Sequence, residues 1–151
     1  MENSHLETFK AEAQGRGWPT KVTITDTEWT LKVDEPIEDG GSNTGPNPMQ
    51  LFIASLASCQ NEQSQVVADE LSLNITQVDI KVEIDIDLSG FMGISDNSNG
   101  SYKNVRLDAV VSGETTDEQI KILGQKVDDR CPILGLLRTS GCNIKSSWSK
   151  N

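Results

Sequence analysis

From residue 78 the chain alternates without a break. Val78, Ile80, Val82, Ile84, Ile86 and Leu88 are apolar, while Asp79, Lys81, Glu83, Asp85 and Asp87 are charged. A period of two sends one set to a core and the other to water, so this segment reads as a strand of an antiparallel sheet. Val105, Leu107, Ala109 and Val111 alternate in the same way and supply a partner strand. Residues 89–101 form the long turn between them, with Asn99-Gly100 near its end. Shorter alternations at Val22 and Ile24, and at Trp29, Leu31 and Val33, predict strands over 20–25 and 28–33 that turn at Asp26-Thr27. Residues 1–15 are polar and aperiodic, an arm with a first strand around Phe9 to Ala13.

The helices carry their own start signals. The stretch 34–48, DEPIEDGGSNTGPNP, is a loop by its Gly, Pro, Asn and Asp content. It ends with Asn47 as N-cap, Pro48 at the first helical position and Gln50 where a capping-box partner belongs. The next residues, LFIASLASC, are apolar or small all the way round, which predicts a helix buried on most sides. It turns polar after Cys59 and runs to about Leu71. Thr116 and Gln119 form a second capping box, ahead of a helix whose face is Ile120, Leu123 and Val127 and whose end is near Asp129. Cys131-Pro132 opens a short apolar helix through Leu137, Gly141 breaks it, and Cys142, Ile144 and Trp148 mark a last strand. The fold class that follows is α+β, with mainly antiparallel sheets and a long buried central helix, in a single domain over 1–151.

Charge narrows the function. Thirteen Lys and Arg stand against 23 Asp and Glu, a net charge of −10, which excludes a basic nucleic-acid surface and docking on anionic lipid. There is one histidine, His5, in the arm, so neither a Ser-His-Asp triad, a Cys-His pair nor an HExxH zinc site can be assembled. The three cysteines at 59, 131 and 142 contain no CxxC and suit neither a zinc cage nor a disulfide scaffold. The acidic alternation over 79–87 lacks the glycine turn and distal glutamate of a calcium loop and reads as a solvated sheet face. With no run of 18 apolar residues and no basic-then-apolar leader, the expectation is a cytoplasmic protein with reduced thiols. The sequons at Asn74 and Asn99 are then chance matches.

Cys131 precedes a helix with Pro132 in its first turn, and a thiol gains acidity at a helix N-terminus, with Arg130 adding positive charge. Cys59 lies in the apolar helix. Composition alone equally describes all three thiols as small buried hydrophobes, and Cys142, in register with a strand, as structural. Trp18, Trp29 and Trp148 read as core or interface residues.

The wording around the cysteines is more specific. DEPIEDGGSNTGPNPMQLFIASLASC resembles the OsmC/Ohr family of osmotically inducible and organic hydroperoxide resistance proteins, in its OsmC-like branch. That family carries a GG-x-x-x-G-P-x-P loop leading into a helix of the type E-L-x-x-A-A-L-A-S-C. Gly40, Gly41, Gly45, Pro46, Pro48, Leu51, Ala57 and Cys59 match, and the downstream Cys131-Pro132 matches the family's second mark. The resemblance extends from about Arg16 to Trp148.

The resemblance implies an intertwined homodimer with the long helices at its middle and the sites at the subunit interface. It implies a thiol-dependent hydroperoxide reductase that needs no cofactor and no metal. Cys59 would attack the peroxide and become a sulfenic acid, and Cys131 would resolve it as a disulfide. A dithiol donor, such as a lipoylated protein, would reduce that disulfide. The family's site arginine lies in a Gly-Arg segment, matched here by Arg16 in Gln14-Gly15-Arg16-Gly17. The chain departs from the pattern at Met49, where the family has a glutamate; Asp34, Glu35 or Glu62 would have to replace that carboxylate, and Arg130 is another source of positive charge. The departure motivates two other readings: an OsmC-fold protein that binds a small apolar ligand, and a thiol redox sensor.

Overall fold

The computed structural model describes residues 5–95 and 100–151, so Asn99, in both the predicted turn and the second sequon, lies outside the described residues. The chain divides into two compact units, one up to Phe52 and one from Ile53.

The first unit is a meander of β1 (Ala11–Gln14), β2 (Thr20–Ile24) and β3 (Thr30–Val33), in the order β1-β2-β3. Both pairings are antiparallel, with Ala13 opposite Val22 and Val22 opposite Leu31. Asp26 makes the β2–β3 turn with φ of 67°, a conformation that Asp tolerates better than most residues. After β3 the loop winds around a buried carboxylate. Asp34 accepts the backbone N–H groups of Glu35, Ser42 and Thr44, and the Thr44 hydroxyl at 2.6 Å. These donors, the hydroxyl foremost, hold its pKa down at about 2. The glycines serve close approach: a Cβ on Gly41 would lie 2.0 Å from the Glu35 carbonyl oxygen, and one on Gly45 2.0 Å from that of Lys32. The loop closes on the predicted capping box, in which Asn47 Oδ1 accepts the Gln50 N–H and Gln50 Oε1 accepts the Asn47 N–H, both at 2.9 Å. Helix α1 (Pro48–Glu70) begins there.

The second unit holds the remainder of α1, then β4 (Asn74–Ile86), β5 (Tyr102–Glu114), α2 (Asp117–Arg130), α3 (Pro132–Thr139) and β6 (Asn143–Lys150). The sheet order is β4-β5-β6. The β4–β5 pair is antiparallel, with Val82 opposite Leu107. The β5–β6 pair is parallel, because α2 and α3 carry the chain back across the sheet before β6 starts. The expected mainly antiparallel α+β architecture therefore stands, with this one parallel pairing. The alternation resolves as expected: Val105, Leu107, Ala109 and Val111 are buried, and Arg106 on the other face pairs with Glu83 at 3.0 Å and Asp85 at 2.7 Å.

The core of this unit joins Val67 and Ala68 of α1, Val111 of β5, and Ile120, Leu123 and Val127 of α2. Trp148 packs against it over Gly124, where a Cβ would lie 2.3 Å from the indole. Helix α1 differs from expectation in which residues it hides. Within LFIASLASC only Leu56 is fully buried, while Ala54 and Ser58 are exposed. Beyond Cys59, where the sequence turns polar, Gln60 and Ser64 are fully buried. The reason is geometric: Leu56, Gln60, Ser64 and Val67 recur at helical spacing on one face, and Ser64 Oγ donates to the Gln60 carbonyl at 2.7 Å.

Candidate functional site

Cys131 sits at the joint between two helices. Its N–H donates to the Val127 carbonyl at 3.0 Å and closes α2, and its carbonyl accepts the Gly135 N–H at 2.9 Å and opens α3. Pro132 occupies the first helical position, where its missing N–H costs nothing. The Cys131 thiol is the N-cap group of α3: its Sγ accepts the Leu134 N–H at 3.4 Å. Because the residue immediately before Pro132 is Cys131 and not Ser, Thr, Asp or Asn, the cysteine sulfur is left as the cap.

Helix α1 brings the second thiol to the same place. Cys59 Sγ lies 2.9 Å from Cys131 Sγ, within hydrogen-bond reach, and both thiols are free. The two differ in access, Cys131 being buried and Cys59 half-buried. Burial pushes the Cys59 pKa up to about 12, with the adjacent Cys131 sulfur and Glu62 adding to the rise and the Ile133 N–H of α3 opposing it. Each thiol has its own element in the sequence pattern, but the direct contact and the Leu134 cap have no signature in residue spacing.

The other expected site residues fall as follows. Arg16 is exposed in the β1–β2 connection of the first unit. Met49 is half-buried in the first turn of α1. Asp34 is committed to its own loop, and Glu35 accepts the Asn47 side-chain amide at 3.2 Å. Glu62 is exposed on α1, one turn beyond Cys59. Arg130 does not face the thiols as its position beside Cys131 suggested: it forms a paired contact with Glu70, at 2.7 and 2.8 Å, which neutralises its charge locally. Cys142 donates to the Tyr102 carbonyl at 3.3 Å just ahead of β6, in keeping with a structural thiol. Trp29 is 73 % exposed, and Trp18 Nε1 donates to the Gly40 carbonyl at 2.8 Å.

Among the described residues no group of three His, Cys, Asp or Glu side chains is placed to hold a metal, and no helix is long and apolar enough to cross a membrane. A groove of about 360 Å³ in the second unit is lined by Lys121, Asp128, Arg138 and Trp148 among others, and includes neither Cys59 nor Cys131.

The fold agrees with the comparisons. Residues 40–147 match the family model of OsmC-like proteins, and the chain belongs to that family. A solved structure from Legionella pneumophila, an organic hydroperoxide resistance protein OsmC described as a predicted redox protein, is 26 % identical. It superposes with a TM-score of 0.74, over 98 % of this chain and 99 % of that one. The organic hydroperoxide resistance protein OhrB of Bacillus subtilis is 25 % identical, with a TM-score of 0.64 over 96 % of this chain and 98 % of its own. An OsmC-like protein from Mycoplasma pneumoniae, 13 % identical, shares the fold with a TM-score of 0.78 over 96 % of this chain and 99 % of that one. No curated protein matches the sequence.

Proposed function

We propose that this protein reduces organic hydroperoxides with its own two thiols. The observation that carries the reading is the 2.9 Å contact between Cys59 Sγ and Cys131 Sγ on a fold shared with hydroperoxide resistance proteins. Cys59, the more accessible thiol, attacks the outer oxygen of the peroxide, releases an alcohol and becomes a sulfenic acid. Cys131 then attacks the Cys59 sulfur, expels the hydroxyl as water and leaves a disulfide. Because the sulfurs are already in contact, resolution needs little backbone movement. Arg16 supplies positive charge for the thiolate and the departing oxygen, within an intertwined homodimer. A dithiol donor, such as a lipoylated protein in the cytoplasm, restores the reduced pair.

Steady-state reduction of cumene hydroperoxide with dihydrolipoamide as donor tests the reading. The wild-type protein turns over, Cys59→Ser is inactive, and Cys131→Ser stops after a single equivalent. Undiminished turnover by the Cys59→Ser protein contradicts it.

Met49 and the raised Cys59 pKa favour a second reading, in which the fold binds an apolar acyl or aromatic ligand with little peroxidase activity. Native mass spectrometry separates the two: retained ligand with inert thiols supports binding, and an empty protein that consumes peroxide supports catalysis.

A further inference from the structure

We infer that the reduced Cys59–Cys131 pair is a binding site for trivalent arsenic, taken up as a neutral hydroxide and held by both sulfurs. The inference uses only the two thiols and does not rest on the peroxidase reading. The sulfurs stand 2.9 Å apart and neither is in a disulfide. A trivalent arsenic centre is a pyramid of three single bonds, so two sulfurs bonded to it sit close together, only a little farther apart than these already are. A two-coordinate soft ion such as Cu(I) takes its sulfurs in line on opposite sides and would have to push them well apart. Structural zinc takes four ligands, and among the described residues no third His, Cys, Asp or Glu joins the pair. Charge points the same way. Metal cations bind thiolates, whereas burial pushes the Cys59 pKa up to about 12, Glu62 adds to the rise, and Arg130 is held by Glu70. An arsenic hydroxide condenses with the thiol as it stands and asks for no separated charge in the buried site.

The uptake balances without an oxidant or a reductant. Cys59, the half-buried thiol, meets the ligand first. Its sulfur displaces a hydroxyl from arsenic: an As–S bond forms, an As–O bond breaks, and the thiol proton leaves with the hydroxyl as water. Cys131, 1 % exposed, then does the same from its adjacent position and releases a second water. Arsenic stays trivalent and neither sulfur is oxidised. Closure costs little entropy because Cys131 is already fixed. Its N–H bonds to the Val127 carbonyl, its carbonyl to the Gly135 N–H, and its sulfur to the Leu134 N–H. Cys142 lies against the Tyr102 carbonyl and the Ser140 hydroxyl, with no second thiol beside it, so it can hold arsenic by one bond only.

The probe is phenylarsine oxide, which water converts to the dihydroxide, added to fully reduced protein without oxygen. Native mass spectrometry should find one phenylarsenic group per chain, retained in excess glutathione and removed by dithiothreitol. Cys59→Ser and Cys131→Ser should each bind about a hundredfold more weakly, the lower end of what a second, intramolecular attachment adds. Cys142→Ser should bind like the wild type. X-ray absorption at the arsenic edge of the wild-type complex should show two sulfur neighbours, a readout that does not depend on how any variant folds. One sulfur neighbour overturns the inference. So does wild-type binding no tighter than that of Cys59→Ser or Cys131→Ser, or binding that is lost in Cys142→Ser. Zinc at the same concentration should leave Cys59 open to a maleimide, and protection by zinc equal to that by the arsenical overturns the selection of arsenic.

Discussion

Asp34 and Thr44 are joined by a 2.6 Å hydrogen bond that, with the backbone N–H groups of Glu35, Ser42 and Thr44, encloses a carboxylate inside the glycine-rich loop. The carboxyl is held at about 2 in the folded protein, below its unfolded value near 3.8. A depressed carboxyl pKa contributes stability that is fully present above the unfolded value and is lost as pH falls through the folded one. The first unit should therefore lose stability between about pH 4 and pH 2. Asp34→Asn should be less stable at pH 7 and should lack this part of the acid dependence. Urea melts followed by fluorescence of the tryptophans across that range check both.

The same loop makes a sharper steric prediction. Gly41 and Gly45 lie where a Cβ would meet carbonyl oxygens at 2.0 Å, and backbone atoms cannot step aside as a flexible side chain does. Gly41→Ala and Gly45→Ala should each destabilise at or above the upper end of the about 1–3 kcal/mol typical of overpacking. Gly17→Ala meets no steric contact and should cost less, although its φ of 84° keeps the change unfavourable. Denaturant midpoints of the three variants give the order.

In the second unit, Gly124 carries the Trp148 indole. A methyl group there would stand 2.3–2.7 Å from ring carbons, so Gly124→Ala should cost about 1–3 kcal/mol. Replacing Trp148 by Leu in the same chain should recover part of that loss, whereas two independent sites would add. A double-mutant cycle by urea denaturation measures the coupling.

Much of this was legible in the sequence, for reasons that differ by element. The period of two in β4 and β5 is unambiguous because one face is apolar and the other charged, so register and orientation follow. The caps at Asn47 and Thr116 were readable because a box needs only two residues at fixed spacing. Burial along α1 was not readable, since Gln60 and Ser64 are polar by composition and hidden by their place on the face of Leu56. Arg130 misled for a related reason: adjacency in the chain says nothing of direction, and its guanidinium meets Glu70, sixty residues away. The thiol contact is long-range, spanning 72 residues, and only the packing of α1 against the α2–α3 joint creates it.

That span also sets what oxidation does to stability. A disulfide closing a loop of 72 residues restricts the unfolded chain, and the entropic model puts the gain at about 4 kcal/mol. The oxidised protein should thus have a higher denaturant midpoint than the reduced one, and the difference should vanish in Cys131→Ser. Paired melts with and without reductant measure it.

The most direct test of the central claim mixes fully reduced protein with one equivalent of cumene hydroperoxide in a stopped-flow instrument and maps the disulfide in the product. Rapid loss of the whole equivalent is expected, with a Cys59–Cys131 disulfide and Cys142 still reduced. Consumption no faster than that of a simple free thiol, with Cys59 and Cys131 both recovered as thiols, would contradict it.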